Sequence, residues 1–77
     1  MLNNTIGKNI KYYRNTLGLT QTELANMLYI TRQALSSYEK GIRLPDINML
    51  TAMADIFDIT IDSLVGRERE ISGPNTS

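Results

Sequence analysis

The stretch from Gln21 to Gly41, QTELANMLYITRQALSSYEKG, constrains the fold more than any other part of this chain. It holds two short helical patterns with a very short break between them. Thr20 stands just before it, and Glu23 follows three residues later. That spacing is a capping box: the Thr hydroxyl accepts from the backbone N–H of Glu23, and the Glu carboxylate accepts from the N–H of Thr20. Leu24, Ala25 and Leu28 then recur at helical spacing. Ile30 is apolar and falls in the break. Thr31 is placed to cap a second helix, whose Leu35 and Tyr38 face one way.

On a helical wheel at about 100° per residue, Thr31, Leu35 and Tyr38 gather on one side of the second helix, with Glu39 beside them. Arg32, Gln33, Ser36, Ser37 and Lys40 gather on the other. The second face carries no acid and no large apolar group. Its side chains are of the kinds that read a duplex: Arg matches the guanine edge, Gln the adenine edge, Ser either, and Lys a phosphate. Two short helices joined by a tight turn, the second with such a face, follow helix-turn-helix logic. A solvated polar face on an ordinary helical hairpin has the same spacing.

Gln21, Leu24, Ala25, Leu28, Ile30, Thr31-Arg32-Gln33, Leu35, Tyr38 and Glu39-Lys40-Gly41 together resemble the phage-repressor and Cro-like helix-turn-helix family, also called the XRE family. The pattern continues through Leu44-Pro45, an apolar helix, and Ile59-Thr60-Ile61-Asp62-Ser63-Leu64. The resemblance covers roughly residues 5 to 66. Each match is weak alone, and their order makes the set specific. It implies an all-α fold of five helices in which helices 2 and 3 form the helix-turn-helix. It also implies sequence-specific binding of double-stranded DNA by a small transcriptional regulator, a repressor in the usual case.

Seventy-seven residues make at most one domain. A hydrophobic fraction of 42% supplies one small core and argues against disorder. Cysteine and histidine are both absent, which removes disulfides, thiolate chemistry and the commonest metal ligand and general base. Ser36 and Ser37 therefore have no His partner, the acids are scattered, and no Gly-rich phosphate loop exists. The chain is not expected to be an enzyme, to hold a metal or cofactor, or to bind a small molecule. Asp55 and Asp58 are read as part of a solvated face, not as a metal site. No apolar run approaches the roughly 20 residues of a membrane span, and MLNNTIGKNI lacks a signal peptide's apolar core. A cytoplasmic protein, nucleoid-associated when bound to DNA, is the expectation.

The zero net charge conceals a division. Residues 1–44 hold six basic against two acidic side chains, giving +4, and residues 45–77 hold two against six, giving −4. The basic half contains the candidate reading helix. Such asymmetry points to a polyanionic partner, with the acidic half turned away from it.

Along the chain, Met1 to Asn4 are expected to be loosely ordered. Asn4 or Thr5 caps a first helix to about Leu17, with Ile6, Ile10, Tyr13 and Leu17 as its buried stripe and Lys8, Lys11 and Asn15 solvated. Gly7 weakens its first turn slightly, Gly18 ends it in the left-handed region, and Leu19 packs back into the core. Pro45 precedes Asp46, which caps a fourth helix with Ile47, Leu50, Ala54 and Phe57 inward and Met53 alongside. Asp58 tolerates a left-handed turn, Thr60 caps a fifth helix from Ile61 to about Val65, and Leu64 closes the core. Residues 1–66 form the domain and 67–77 a flexible tail, in which Ile71 is a candidate intermolecular contact.

Tyr29 departs from the family, which usually has Gly there. It must either accept left-handed strain of about 1–3 kcal/mol or change the turn. The expectation is a positive φ with the ring on the surface.

The resemblance also implies site roles. Helix 3 enters the major groove. Thr31, Arg32, Gln33, Ser36 and Ser37 reach base edges, with Arg32 alternatively directed to phosphate. Arg14, Thr20, Gln21, Lys40 and Arg43 meet phosphates, and Gln21 gives its side-chain amide to the DNA backbone. Arg14 is further expected to pair with Glu39. For Arg14 and for Arg43, an exposed side chain without a fixed contact is the alternative. Family members usually bind palindromic operators as homodimers, and Ile61 and Val65 are the candidate self-contact. A protein-interaction module of the same fold, such as an antitoxin or anti-repressor partner, is the competing reading.

Overall fold

Helices form where a short polar side chain caps an apolar stripe. The computed structural model describes residues 4–67. Among them five helices follow in order: α1 Thr5–Thr16, α2 Gln21–Met27, α3 Arg32–Lys40, α4 Ile47–Phe57 and α5 Ile61–Val65. No strand occurs in this span. Residues 1–3 and 68–77, and with them most of the expected tail and the contact assigned to Ile71, lie outside the described residues.

The caps of α2 to α5 are those the sequence specifies, whereas Asn4, expected as one of two candidate caps of α1, stands at its N-cap without a cap hydrogen bond. Thr20 accepts from Glu23 N at 3.0 Å, and Glu23 Oε1 accepts from Thr20 N at 2.8 Å, so both arms of the capping box form. Thr31 accepts from Ala34 N at 3.0 Å, Asp46 from Met49 N at 2.8 Å, and Thr60 from Ser63 N at 3.0 Å. Each satisfies one of the orphan donors at a helix start, a contribution of about 1 kcal/mol. Gly41, Asp58 and Gly66 terminate α3, α4 and α5 in the left-handed region. Tyr29 also has positive φ, at 59°, and is 95% exposed. The strained turn and the outward ring therefore occur together, as expected.

The core gathers Ile10, Leu24, Ala25, Leu28, Leu35, Tyr38, Leu50, Met53, Ala54, Phe57 and Leu64. α1 lies against α3, α4 and α5, while α2 rests on α3. Tyr13 stacks on Phe57 with ring centroids 5.7 Å apart.

Three expectations need correction. Leu17 is 49% exposed because α1 stops at Thr16 and Gly18 (φ 72°) swings the chain away. The inward place on that last turn is taken by Arg14. Ile47 is 61% exposed; as the first residue of α4 it lies ahead of the stripe that reaches the core at Leu50. Asn4 is not loose: it is half-buried and bonded to α3.

Gly7 has a role that its weak helix propensity does not suggest. It is buried where α1 crosses the end of α3. A Cβ there would lie 2.5 Å from the Tyr38 carbonyl oxygen and 2.6 Å from that of Glu39. Two backbones approach this closely only where one residue lacks a side chain.

Candidate nucleic-acid interface

α3 has a sharply divided surface. Leu35, Tyr38 and Glu39 are buried, while Arg32, Gln33 and Lys40 are exposed and Ser36 and Ser37 half-exposed. Among the described residues, Arg32, Gln33, Ser36, Ser37 and Lys40 line one open groove. These are the five side chains that the wheel placed together. Thr31 sits exposed at the helix start, its hydroxyl occupied as the cap of α3. The groove holds two cations, an amide and two hydroxyls, and no carboxylate.

Behind this face runs a hydrogen-bonded chain from the interior to the surface. Arg14 Nε donates to Glu39 Oε2 at 2.7 Å and its Nη2 to Oε1 at 3.2 Å. Arg14 Nη1 donates to the Leu19 carbonyl at 2.8 Å. Glu39 Oε1 also accepts from Gln21 Nε2 at 3.0 Å, and Gln21 Oε1 accepts from Arg32 Nη1 at 3.3 Å. Arg14 and Glu39 are 8% and 6% exposed. A bidentate pair with further donors is the arrangement in which a buried carboxylate is tolerated. Through it α1, α2 and α3 are tied at one point, and Arg32 is tied to α2.

Two of the expected phosphate contacts, Arg14 and Gln21, have partners within the domain. The Arg14–Glu39 pair is present, but it holds the Arg14 guanidinium inside the domain instead of on the outer surface. Gln21 turns its amide inward to Glu39, because a buried carboxylate draws the available donors. Thr20, Lys40 and Arg43 are exposed. Arg43 lies with its guanidinium carbon 5.4 Å from the centre of the Tyr38 ring, a cation–π contact that holds it beside the end of α3.

The groove therefore belongs to the second of two helices joined by a turn of four residues, 28–31, and both helices start at a capped, exposed end. The family model described as Helix-turn-helix matches residues 10–64, most of the described span. This chain is a helix-turn-helix protein. A transcriptional regulator of Bacillus subtilis, ImmR, is 35% identical over 71 residues, 92% of this chain and 55% of the relative. The antitoxin PezA of Streptococcus pneumoniae is 34% identical over 67 residues, 87% of this chain and 42% of its own length. The helix-turn-helix chain thus spans about half the length of such curated relatives. Its fold is similar to that of the P22 c2 repressor, solved with a synthetic operator, at a TM-score of 0.76 and 24% identity, covering 82% of this chain and 96% of that one.

The candidate self-contact differs from the interface residues above. Ile61 and Val65 are partly buried and pack against the core. The exposed large apolar side chains are elsewhere: Tyr12, Leu17, Met27, Tyr29, Ile42, Leu44 and Ile47 among the described residues. α5 therefore offers only the outer edges of Ile61 and Val65. Asn9 donates from Nδ2 to the Leu64 carbonyl at 3.0 Å and ties α5 to α1. Nothing in its spacing marks it out, since the contact spans 55 positions.

Proposed function

We propose that this protein binds double-stranded DNA and regulates transcription, as a repressor, by laying α3 in the major groove. One observation carries the reading: the five side chains that line the open face of α3 are all able to bond base edges or phosphates, and none is acidic. The sequence-level likeness to a named transcriptional regulator supports it. Gln33 and Arg32 face base edges, with Ser36, Ser37 and Thr31 beside them. Thr20, Lys40 and Arg43 meet phosphates on either side, aided by the backbone N–H groups at the start of α2 and α3. Arg14 and Glu39 act at one remove, by holding Gln21, which steadies Arg32 until DNA is engaged. The Gln21 amide nitrogen carries two N–H donors, so it can give one to Glu39 and offer the other to the DNA backbone.

A single domain of this size makes few contacts, and a two-fold pair doubles them. The proposed assembly is a homodimer on a palindromic operator with half-sites about 34 Å apart, using the exposed edges of Ile61 and Val65. Such a regulator works in the cytoplasm, on the nucleoid. No helix among the described residues is long and apolar enough to cross a membrane.

Selection of bound duplexes from a random DNA pool tests the reading directly. The expected product is a set of related sites with two-fold symmetry. Recovery of no preferred site, together with binding abolished by random competitor, would instead support a protein-partner role of the kind the likeness to an antitoxin raises. Sedimentation of the chain with the selected duplex then reads the stoichiometry. Two copies per duplex, reduced to one by Val65→Asp and not by Leu44→Asp, is the expected result.

A further inference from the structure

The start of α1 meets the end of α3 through Asn4, Gly7 and Gly41. Asn4 stands at the N-cap of α1, yet its side chain forms no cap hydrogen bond. It turns to α3 instead, where Nδ2 donates to the Glu39 carbonyl at 3.3 Å. The amide must be oriented this way, since the reverse would set one oxygen against another. Asn4 Oδ1 is buried and has no hydrogen-bond donor among the described residues. It fills the space left by the missing side chains of Gly7 and Gly41: a Cβ on either glycine would collide with it.

This arrangement is locally unfavourable. An N-cap residue that forgoes its cap opposes stability, and so does a buried oxygen with no donor among the described residues. Such conflicts concentrate where a structure serves something besides its own stability. The backbone held at this point is the end of α3. Lys40 precedes Gly41, whose φ of 79° reverses the chain. Arg43 follows two residues later, its N–H bonded to the Ser37 carbonyl at 3.3 Å and its guanidinium over the Tyr38 ring. Both proposed phosphate-binding cations thus leave the backbone within two residues of Gly41.

We propose that Asn4 is a positioning residue for DNA binding: through the Glu39 carbonyl and Gly41 it fixes the register of Lys40 and Arg43 against the phosphates, without touching DNA itself. This rests on the reading of Arg43 as a phosphate contact.

The test is a double-mutant cycle on the full chain. Wild type, Asn4→Ala, Arg43→Ala and the double variant are titrated, over a range of KCl, against the best duplex recovered from the random pool and a scrambled duplex of equal length. Asn4→Asp is measured alongside; it keeps the shape of the side chain and removes the donor. Asn4→Ala and Asn4→Asp are each expected to weaken binding about three- to tenfold on both duplexes, leaving base preference unchanged. The Asn4→Ala salt slope should flatten toward that of Arg43→Ala, and the double variant should lose less than the product of the two single losses, the remainder being the share that acts through Lys40. Circular dichroism fixes the folded fraction of each variant at the assay temperature. If Asn4→Ala is not folded there, Asn4→Asp carries the test. Wild-type affinity and slope in the folded Asn4 variant, or losses that multiply independently with Arg43→Ala, overturn the proposal. Should Arg43→Ala leave the slope unchanged while wild type binds, the phosphate role of Arg43 fails first, and the role of Asn4 falls with it.

Discussion

Arg14 and Arg43 are the same side chain placed in opposite surroundings. Arg14 lies in the seam between α1 and α3, 8% exposed, donating to the Glu39 carboxylate and to the Leu19 carbonyl. Arg43 lies on the outer loop, exposed, with the face of Tyr38 against its guanidinium. The seam fixes where the helices sit, and its charges cannot be removed without harm to the fold. The outer loop leaves Arg43 open to solvent, and losing it costs the fold little. The difference shows how one small domain divides its polar residues between holding a shape and meeting a partner.

The largest effect that would break this contrast is in the seam. Arg14→Ala leaves the Glu39 carboxylate buried without its main partner and should lower stability by about 3–5 kcal/mol, read by denaturant unfolding. A loss below about 1 kcal/mol would show the pair to be solvated like a surface one. Gly7→Ala comes next. Its methyl group meets two carbonyl oxygens of α3, so overpacking should cost about 1–3 kcal/mol, and an unchanged unfolding midpoint would mean that α1 slides freely on α3.

On the outer surface the readout moves from stability to recognition. Gln33→Ala should leave unfolding unchanged and reduce discrimination by about 1–3 kcal/mol at one base pair of the selected site. The same base preference in wild type and variant would remove Gln33 from the reading set. Tyr29→Gly relieves a left-handed φ of 59° on a side chain that packs against nothing, and should raise stability by about 1 kcal/mol. A fall in stability would reveal a packing role for the ring. The smallest effect is on the salt dependence: Arg43→Ala should weaken binding to all sequences and flatten the salt slope by about one unit.

Much of this was legible along the chain. Thr20 with Glu23, Thr31, Asp46 and Thr60 mark helix starts because a cap acts within three residues of itself. The two faces of α3 follow from helical periodicity, which is equally local. Tyr29 was marked by its departure from the family pattern at a turn. The errors fell at helix ends, where Leu17 and Ile47 fit a stripe by count but sit beyond its reach. Asn4, Gly7 and Asn9 gave no usable signal, because their partners lie 31 or more positions away.

The sequence by itself therefore determined the helices, the caps of α2 to α5 and the side chains that share the outer face of α3, all through interactions between near neighbours in the chain. The tertiary structure alone decided which polar groups were left over for that face. It drew Arg14 and the Gln21 amide inward to Glu39 and set Asn4 against the end of α3. The reason is physical: a buried carboxylate or carbonyl takes the nearest available donor, and which donor is nearest depends on how helices distant in the chain pack.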